Sequence, residues 1–335
     1  MAADRPRRGP PRRLRLARLA VVLVAAGFLV TKIAGLLGGD DPASGVAGLP
    51  ALVEDRAPPA ERTVDVHAGY GTWVDVFDYL PSRSGEAKVT PQAVEDMARV
   101  GVHTLYLQAA RFDQGGAGLL ADPDLIAQIL VRAHMSGMQV VGWYVPRFTD
   151  IDRDLAYLAA IADFEVLGHR FDGIAIDIEV TSDVPDHAQR SDELVELSER
   201  LRETVGDDAV GAIVLPPVQL EVINPAKWPK FPWGELADLY DVWLPMGYWT
   251  ERRPESGYND GWTYTEDNVD RLRHDLDDPD AVIHFIGGIG DQITAAQAER
   301  FVEAVTDEDV IGASVYDWAT LDATVSAQIA AGLKG

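Results

Sequence analysis

From residue 71 onward, short runs of β-branched and aromatic residues alternate with stretches whose apolar positions recur at helical spacing. The repeat is roughly 30 to 40 residues, as successive βα units require. Eight runs predict strands over Trp73–Tyr79, His103–Ala109, Gln139–Val145, Gly173–Glu179, Val210–Leu215, Val242–Tyr248, Val282–Gly287 and Ala313–Trp318. Helices are expected between them, among them Pro91–Val100, Leu125–Met135, Leu155–Leu167, Glu193–Val205 and Ala295–Val305, several opened by Thr, Asp or Ser. Gly101, Gly137 and Gly312 punctuate helix-to-strand turns. Eight consecutive units over residues 67–335 predict an α/β fold, a single (βα)8 TIM barrel, in which chemistry belongs at the C-terminal ends of the strands.

The pattern upstream is different. Arg5, Arg7, Arg8, Arg12, Arg13, Arg15 and Arg18 make residues 1–18 a basic tail, and an apolar stretch interrupted once, by Lys32, fills residues 19–37. With the stem of Lys32 snorkelling, that stretch approaches the ~20 residues that span a bilayer, and the positive-inside bias puts the Arg cluster in the cytoplasm. The expectation is a signal-anchor with the barrel outside; a cleaved signal peptide is the alternative, which would make the protein secreted. Residues 38–66, rich in Gly, Pro, Ala and charge, read as a linker.

Charge narrows the function. Residues 1–39 carry seven Arg and one Lys against one Asp, a net +7 that leaves −32 of the formal −25 total for the rest. Such a body excludes a phosphate backbone as ligand, so nucleic acid is not a partner. The absence of Cys excludes disulfides, zinc-thiolate sites, a thiol nucleophile and a lipid-modified Cys. Seven scattered His residues show no metal-ligand spacing, and no metal or cofactor is expected. GGIGDQ at residues 287–292 lacks an adjoining Lys or Arg and is not a phosphate loop. The acidic run Asp275–Asp280 reads as a solvated turn.

Candidate chemistry concentrates in FDGIAIDIE, residues 171–179. Strand alternation puts Ala175, Asp177 and Glu179 on the inward face and Ile174, Ile176 and Ile178 against the helices. Two carboxylates so close raise one pKa and can keep a general acid protonated near neutral pH. Ion pairing to Arg111 or Arg147 is the purely structural alternative. The segment resembles the fourth-strand signature of family 18 glycoside hydrolases, the chitinase-like enzymes, with Asp172, Gly173, Asp177 and Glu179 at matching positions. That resemblance implies Glu179 as proton donor to the glycosidic oxygen and Asp177 as the group that orients the reacting substituent. It extends to Met246 and Tyr248 on strand six, with Tyr248 a substrate contact, and to Trp318 as the floor of a sugar subsite. Three positions depart from the family: Ala175 replaces a middle Asp, Trp249 follows Tyr248 in place of Asp or Asn, and VVGWYVP on strand three lacks S-x-G-G. These leave the sugar open. Asp75, near the end of strand one, together with the Asp-x-Glu strand end is also similar to family 25 muramidases.

Aromatic residues near strand ends, Trp143 and Trp249 foremost, are candidates to stack on sugars, as is the wall expected from a long loop over Glu251–Asp267. The reading is therefore an extracytoplasmic O-glycosyl hydrolase acting on a cell-envelope or extracellular polysaccharide. A non-catalytic glycan-binding or scaffold barrel is the alternative, and a peptidoglycan muramidase a second one.

Overall fold

In the computed structural model of the chain, the structure describes residues 61–112 and 118–333. The basic tail, the apolar stretch and most of the expected linker lie outside the described residues. Among the described residues, no helix is long and apolar enough to cross a membrane.

Eight parallel strands form one sheet: β1 (Gly69–Val74), β2 (Thr104–Arg111), β3 (Gln139–Val145), β4 (Gly173–Ile178), β5 (Val210–Val214), β6 (Val242–Pro245), β7 (His284–Ile289) and β8 (Gly312–Tyr316). The order is β6-β5-β4-β3-β2-β1-β8-β7. Its two ends meet through bridges Trp243 to Ile283 and Met246 to Ile286, with Trp243 N donating to Val282 O (2.9 Å) and Gly247 N to Ile286 O (2.7 Å). This closes the barrel. Around it lie α1 (Ala93–Val100), α2 (Pro123–Met135), α3 (Ile151–Asp163), α4 (His187–Val205), the single turn α5 (Trp233–Leu236), α6 (Gly261–Asp275), α7 (Ala295–Asp307) and α8 (Ala323–Gly332). Acceptor side chains start most of them: Asp122, Asp150, Asp186, Asp260, Thr294 and Asp322 each take a backbone N–H of the first turn.

Some boundaries differ from expectation for local reasons. Strand one starts at Gly69 and stops at Val74, because Asp75 accepts from Phe77 N (2.7 Å) while Asp78 accepts from Asp75 N (3.2 Å), turning Val76–Tyr79 into a capped helical turn. Helix α3 begins four residues before the expected start, its first turn carrying Asp152 and Asp154 where the helix dipole favours acids. It ends at Asp163, and residues 165–170 form a small hairpin instead of continuing to Leu167. The expected loop Glu251–Asp267 is mostly structured, since Asp260 caps α6 at Gly261.

The linker boundary at 66 also moves. Arg62 is buried and donates to Phe171 O (2.9 Å), Ala162 O (2.8 Å) and Asp208 (2.5 Å), so the domain already includes it. The turn Val64–His67 then plugs the bottom of the barrel. His67 Nδ1 meets Tyr106 OH (3.0 Å), and His284 Nδ1 donates to His67 O (2.7 Å). Gly312 is required there: a Cβ would lie 2.3 Å from His67 O. The C-terminal ends of the strands lie at the opposite end of the barrel from this plug.

Candidate active site at the barrel mouth

β4 delivers its residues as the alternation demands. Ile174, Ile176 and Ile178 are fully buried. Asp172 sits at the other end of the strand, where its carboxylate accepts from Val140 N (2.8 Å) and His134 Nε2 (2.8 Å). It staples β3 and α2 to β4 and is remote from the mouth. Asp177 is 7% exposed, and its Oδ1 is buried without a hydrogen-bond partner. Glu179 lies just past the strand end and is exposed.

The two carboxyls come from the C-terminal end of β4. Burial pushes the Asp177 carboxyl well above the ordinary range, and the charge of Glu179 adds to it. Glu179 is also raised, by partial desolvation, with Lys227 holding it back. Neither acid takes an arginine partner of the kind weighed above. Arg147 pairs with Asp183 (2.5 Å), and the guanidinium of Arg111 lies 4.9 Å from the centre of the Phe77 ring.

Tyr248 completes this side. It is half-buried, following Gly247, where a Cβ would stand 2.1 Å from the Phe285 ring. Burial raises its hydroxyl pKa, and Asp177, Glu179 and Asp317 raise it further, so the phenol lies in the field of all three acids.

A second acidic group faces it from β1 and β8. Asp75, half-buried, accepts from Tyr316 OH at 2.6 Å, and the Tyr316 ring lies 6.0 Å from that of Tyr248. Asp75, Asp78 and Asp317 each place a carboxylate oxygen within 4.8 Å of the others, the spacing of a possible cation site. Burial and the charges of Asp75 and Asp317 raise Asp78 to about 6. Desolvation likewise raises Asp317, against hydrogen bonds from Thr320.

The remaining predicted residues separate into lining and core. Trp318 is half-buried, held by its N–H on Trp73 O (3.0 Å). Trp143 is 4% exposed, edge-on to Trp73 (5.9 Å), with its indole Nε1 lacking a partner. Met246 is buried, serving barrel closure. Trp249 is wholly buried against Phe301 (4.9 Å), where Gly287 and Gly288 make room for its ring, so it is a core residue and cannot stack on a sugar. Tyr79, Tyr144 and Tyr264 are core residues as well.

Sequence reasoning missed Tyr316, Asp317, Asp78 and Lys227. Asp317 adjoins Trp318 at a strand end and was open to discovery by inspecting every such end. Lys227, on the segment between β5 and α5, carries no local signal for its approach to Glu179.

No protein-family model and no curated protein matches the sequence. Solved structures do. A family 18 chitinase from Cycas revoluta, solved with allosamidin, is 12% identical with TM-score 0.55, covering 80% of this chain and 100% of that one. The spore cortex-lytic enzyme SleL of Bacillus cereus is 10% identical with TM-score 0.54, covering 82% and 76%. The endo-1,4-β-D-mannanase of Thermotoga petrophila is 11% identical with TM-score 0.55, covering 75% and 88%. The chain has a divergent chitinase-like barrel fold. Identities this low speak for the fold alone.

Proposed function

We propose that the protein is a glycoside hydrolase acting on a cell-envelope or extracellular polysaccharide, with Glu179 as general acid and base. The observation that carries this reading is the carboxyl pair Asp177–Glu179 at the C-terminal end of β4, Asp177 buried with an unpartnered Oδ1 and Glu179 exposed, with the Tyr248 phenol in the field of both. A buried carboxyl without a protein partner is costly, and perturbed acids in a concave site are the usual mark of proton-transfer chemistry. Glu179 in its acid form gives its proton to the glycosidic oxygen, and the bond to the anomeric carbon breaks with its electron pair on that oxygen. Water then adds at the carbon and returns a proton to the Glu179 carboxylate. Asp177 orients the reacting group. Tyr248 and Trp318 contact the sugar.

The basic tail and apolar stretch support placement on the cytoplasmic membrane with the barrel outside, which suits such a substrate. Proteolysis of intact cells tests this: digestion of the barrel from outside supports it, and protection until lysis refutes it.

The catalytic assignment is tested with the purified full-length chain and Glu179→Gln, measuring reducing-end release from N-acetylated and plain glycans. A loss of about 10²-fold or more is expected. Activity that survives the substitution removes Glu179 from the role. Glycan affinity without product, unchanged by Glu179→Gln, identifies the non-catalytic alternative.

A further inference from the structure

The mouth is unusually rich in acceptors. Asp177 and Glu179 come from the end of β4, and the Asp75, Asp78 and Asp317 oxygens, mutually within 4.8 Å, from the ends of β1 and β8. Tyr248 and Tyr316, their rings 6.0 Å apart, lie between, and Tyr248 feels carboxylates of both groups. The protein's own cations answer this only in part. Lys88 reaches Asp78 at 3.7 Å from a side chain that is 57% exposed, and Lys227 acts on Glu179. The donors at the Asp75–Asp78–Asp317 group are already engaged: Tyr316 OH by Asp75, and the Thr320 N–H and hydroxyl by Asp317.

A second observation is independent of this clustering. Asp177 Oδ1 is an acceptor on a side chain more than nine-tenths buried, projecting inward at the mouth with no donor assigned to it. A buried acceptor in this state is stabilised by a ligand that brings N–H groups, most of all a charged one. Sulfated or uronic sugars would meet repulsion here.

Resting on the hydrolase reading of the same site, we infer that the mouth selects a glycan bearing free amino groups, a de-N-acetylated hexosamine polymer, whose ammonium lies between the Asp75–Asp78–Asp317 group and the Asp177–Glu179 pair. Lys88 is an intramolecular precedent, an alkylammonium already drawn to the acidic group from its outer edge.

The test is calorimetric binding to the full-length unsubstituted chain, over times too short for product release, with Glu179→Gln, which removes one carboxylate of the site, measured beside it. The probes are hexamers of glucosamine and of N-acetylglucosamine, with product release by the unsubstituted chain followed in parallel. The glucosamine hexamer is expected to bind about tenfold tighter, the worth of one well-placed charge pair. That preference should shrink with added NaCl and in Asp317→Asn and Asp75→Asn, each first shown to be folded by circular dichroism. Equal affinities, tighter binding of the N-acetylated hexamer, or no binding of either overturns the inference. In those cases Glu179-dependent cleavage of the N-acetylated glycan would leave the hydrolase reading standing. Conversely, selective glucosamine binding without product from the unsubstituted chain keeps the inference and removes the hydrolase reading. Calcium or magnesium binding that is lost in Asp317→Asn and blocks the hexamer would assign the acids to a metal and overturn it.

Discussion

Tyr316 donates its phenol hydrogen to Asp75 Oδ2 at 2.6 Å, joining the end of β8 to the residue that stops β1. Asp75 is thereby held by three backbone or side-chain donors and acceptors at once, through Phe77 N, its own N–H to Asp78, and Tyr316. The two half-buried residues fix one wall at the C-terminal ends of β1 and β8, beside the Tyr248 ring. Tyr316→Phe keeps the ring and removes only this bond. It is expected to lower kcat/KM about tenfold, in keeping with the worth of a hydrogen bond to a charged group, with little change in fold. Steady-state kinetics beside near-ultraviolet circular dichroism separate the two effects; unchanged kinetics would mean the wall is not used.

Asp177 binds its proton more tightly in the folded chain than in the unfolded one, because burial and Glu179 raise its pKa well above the ordinary 3.8. Its favourable contribution is therefore complete below about pH 4 and is lost as pH rises toward the folded value. Asp177→Asn should accordingly stabilise the protein, little at pH 4 and more at pH 8, while reducing activity. Melting temperatures of both chains across that range provide the measurement. A uniform shift with pH would contradict the assignment.

His284 behaves oppositely. Its burial lowers the ring from 6.5 to about 4, and His67, also desolvated and beside it, is lowered too. A neutral ring is favoured in the fold, so this stability is full above pH 6.5 and disappears as pH falls through about 4. Roughly 3 kcal/mol is at stake for His284 by the usual linkage conversion. In His284→Gln, the difference in urea midpoint between pH 7 and pH 4.5 should be smaller than in the unsubstituted chain. An equal difference would place the acid sensitivity elsewhere.

Asp154 is a buried carboxylate serving the turn after β3. It accepts from Tyr144 OH (2.5 Å), Arg147 N (3.2 Å) and Phe148 N (2.9 Å), and Phe148 sits at a left-handed φ of 60°. Asp154→Ala leaves these donors without an acceptor in a buried site and should cost about 3 kcal/mol or more. Chemical denaturation would show it; a loss below about 1 kcal/mol would mean the turn is held by packing alone.

How much of this was written locally is visible in particular elements. β3 falls on its expected residues because a buried parallel strand is a continuous apolar run, legible without a partner. The inward placement of Asp177 follows from alternation alone, as does the burial of three isoleucines behind it. Helix starts marked by Asp or Thr were legible for the same reason, since a cap contacts its own first turn. DVFDY misled because its alternation suits a strand, while the Asp75 and Asp78 side chains can also close a helical turn on their own backbone.

What only tertiary structure decided concerns residues adjacent in sequence but opposite in fate. Tyr248 reaches the mouth, and Trp249, its neighbour, is buried against Phe301 in a space left by two glycines of another strand. No period in the sequence carries that information, because strand β6 has ended and the direction of each side chain is set by what packs around it. Barrel closure between β6 and β7, the approach of Lys227 to Glu179, and the meeting of Asp75 and Asp78 with Asp317 are of the same kind. The sequence by itself determined the strands, their inward faces and the Asp177–Glu179 pair, through short-range periodicity. The company those acids keep depends on contacts between residues up to 241 positions apart, and only the closed barrel brings them together.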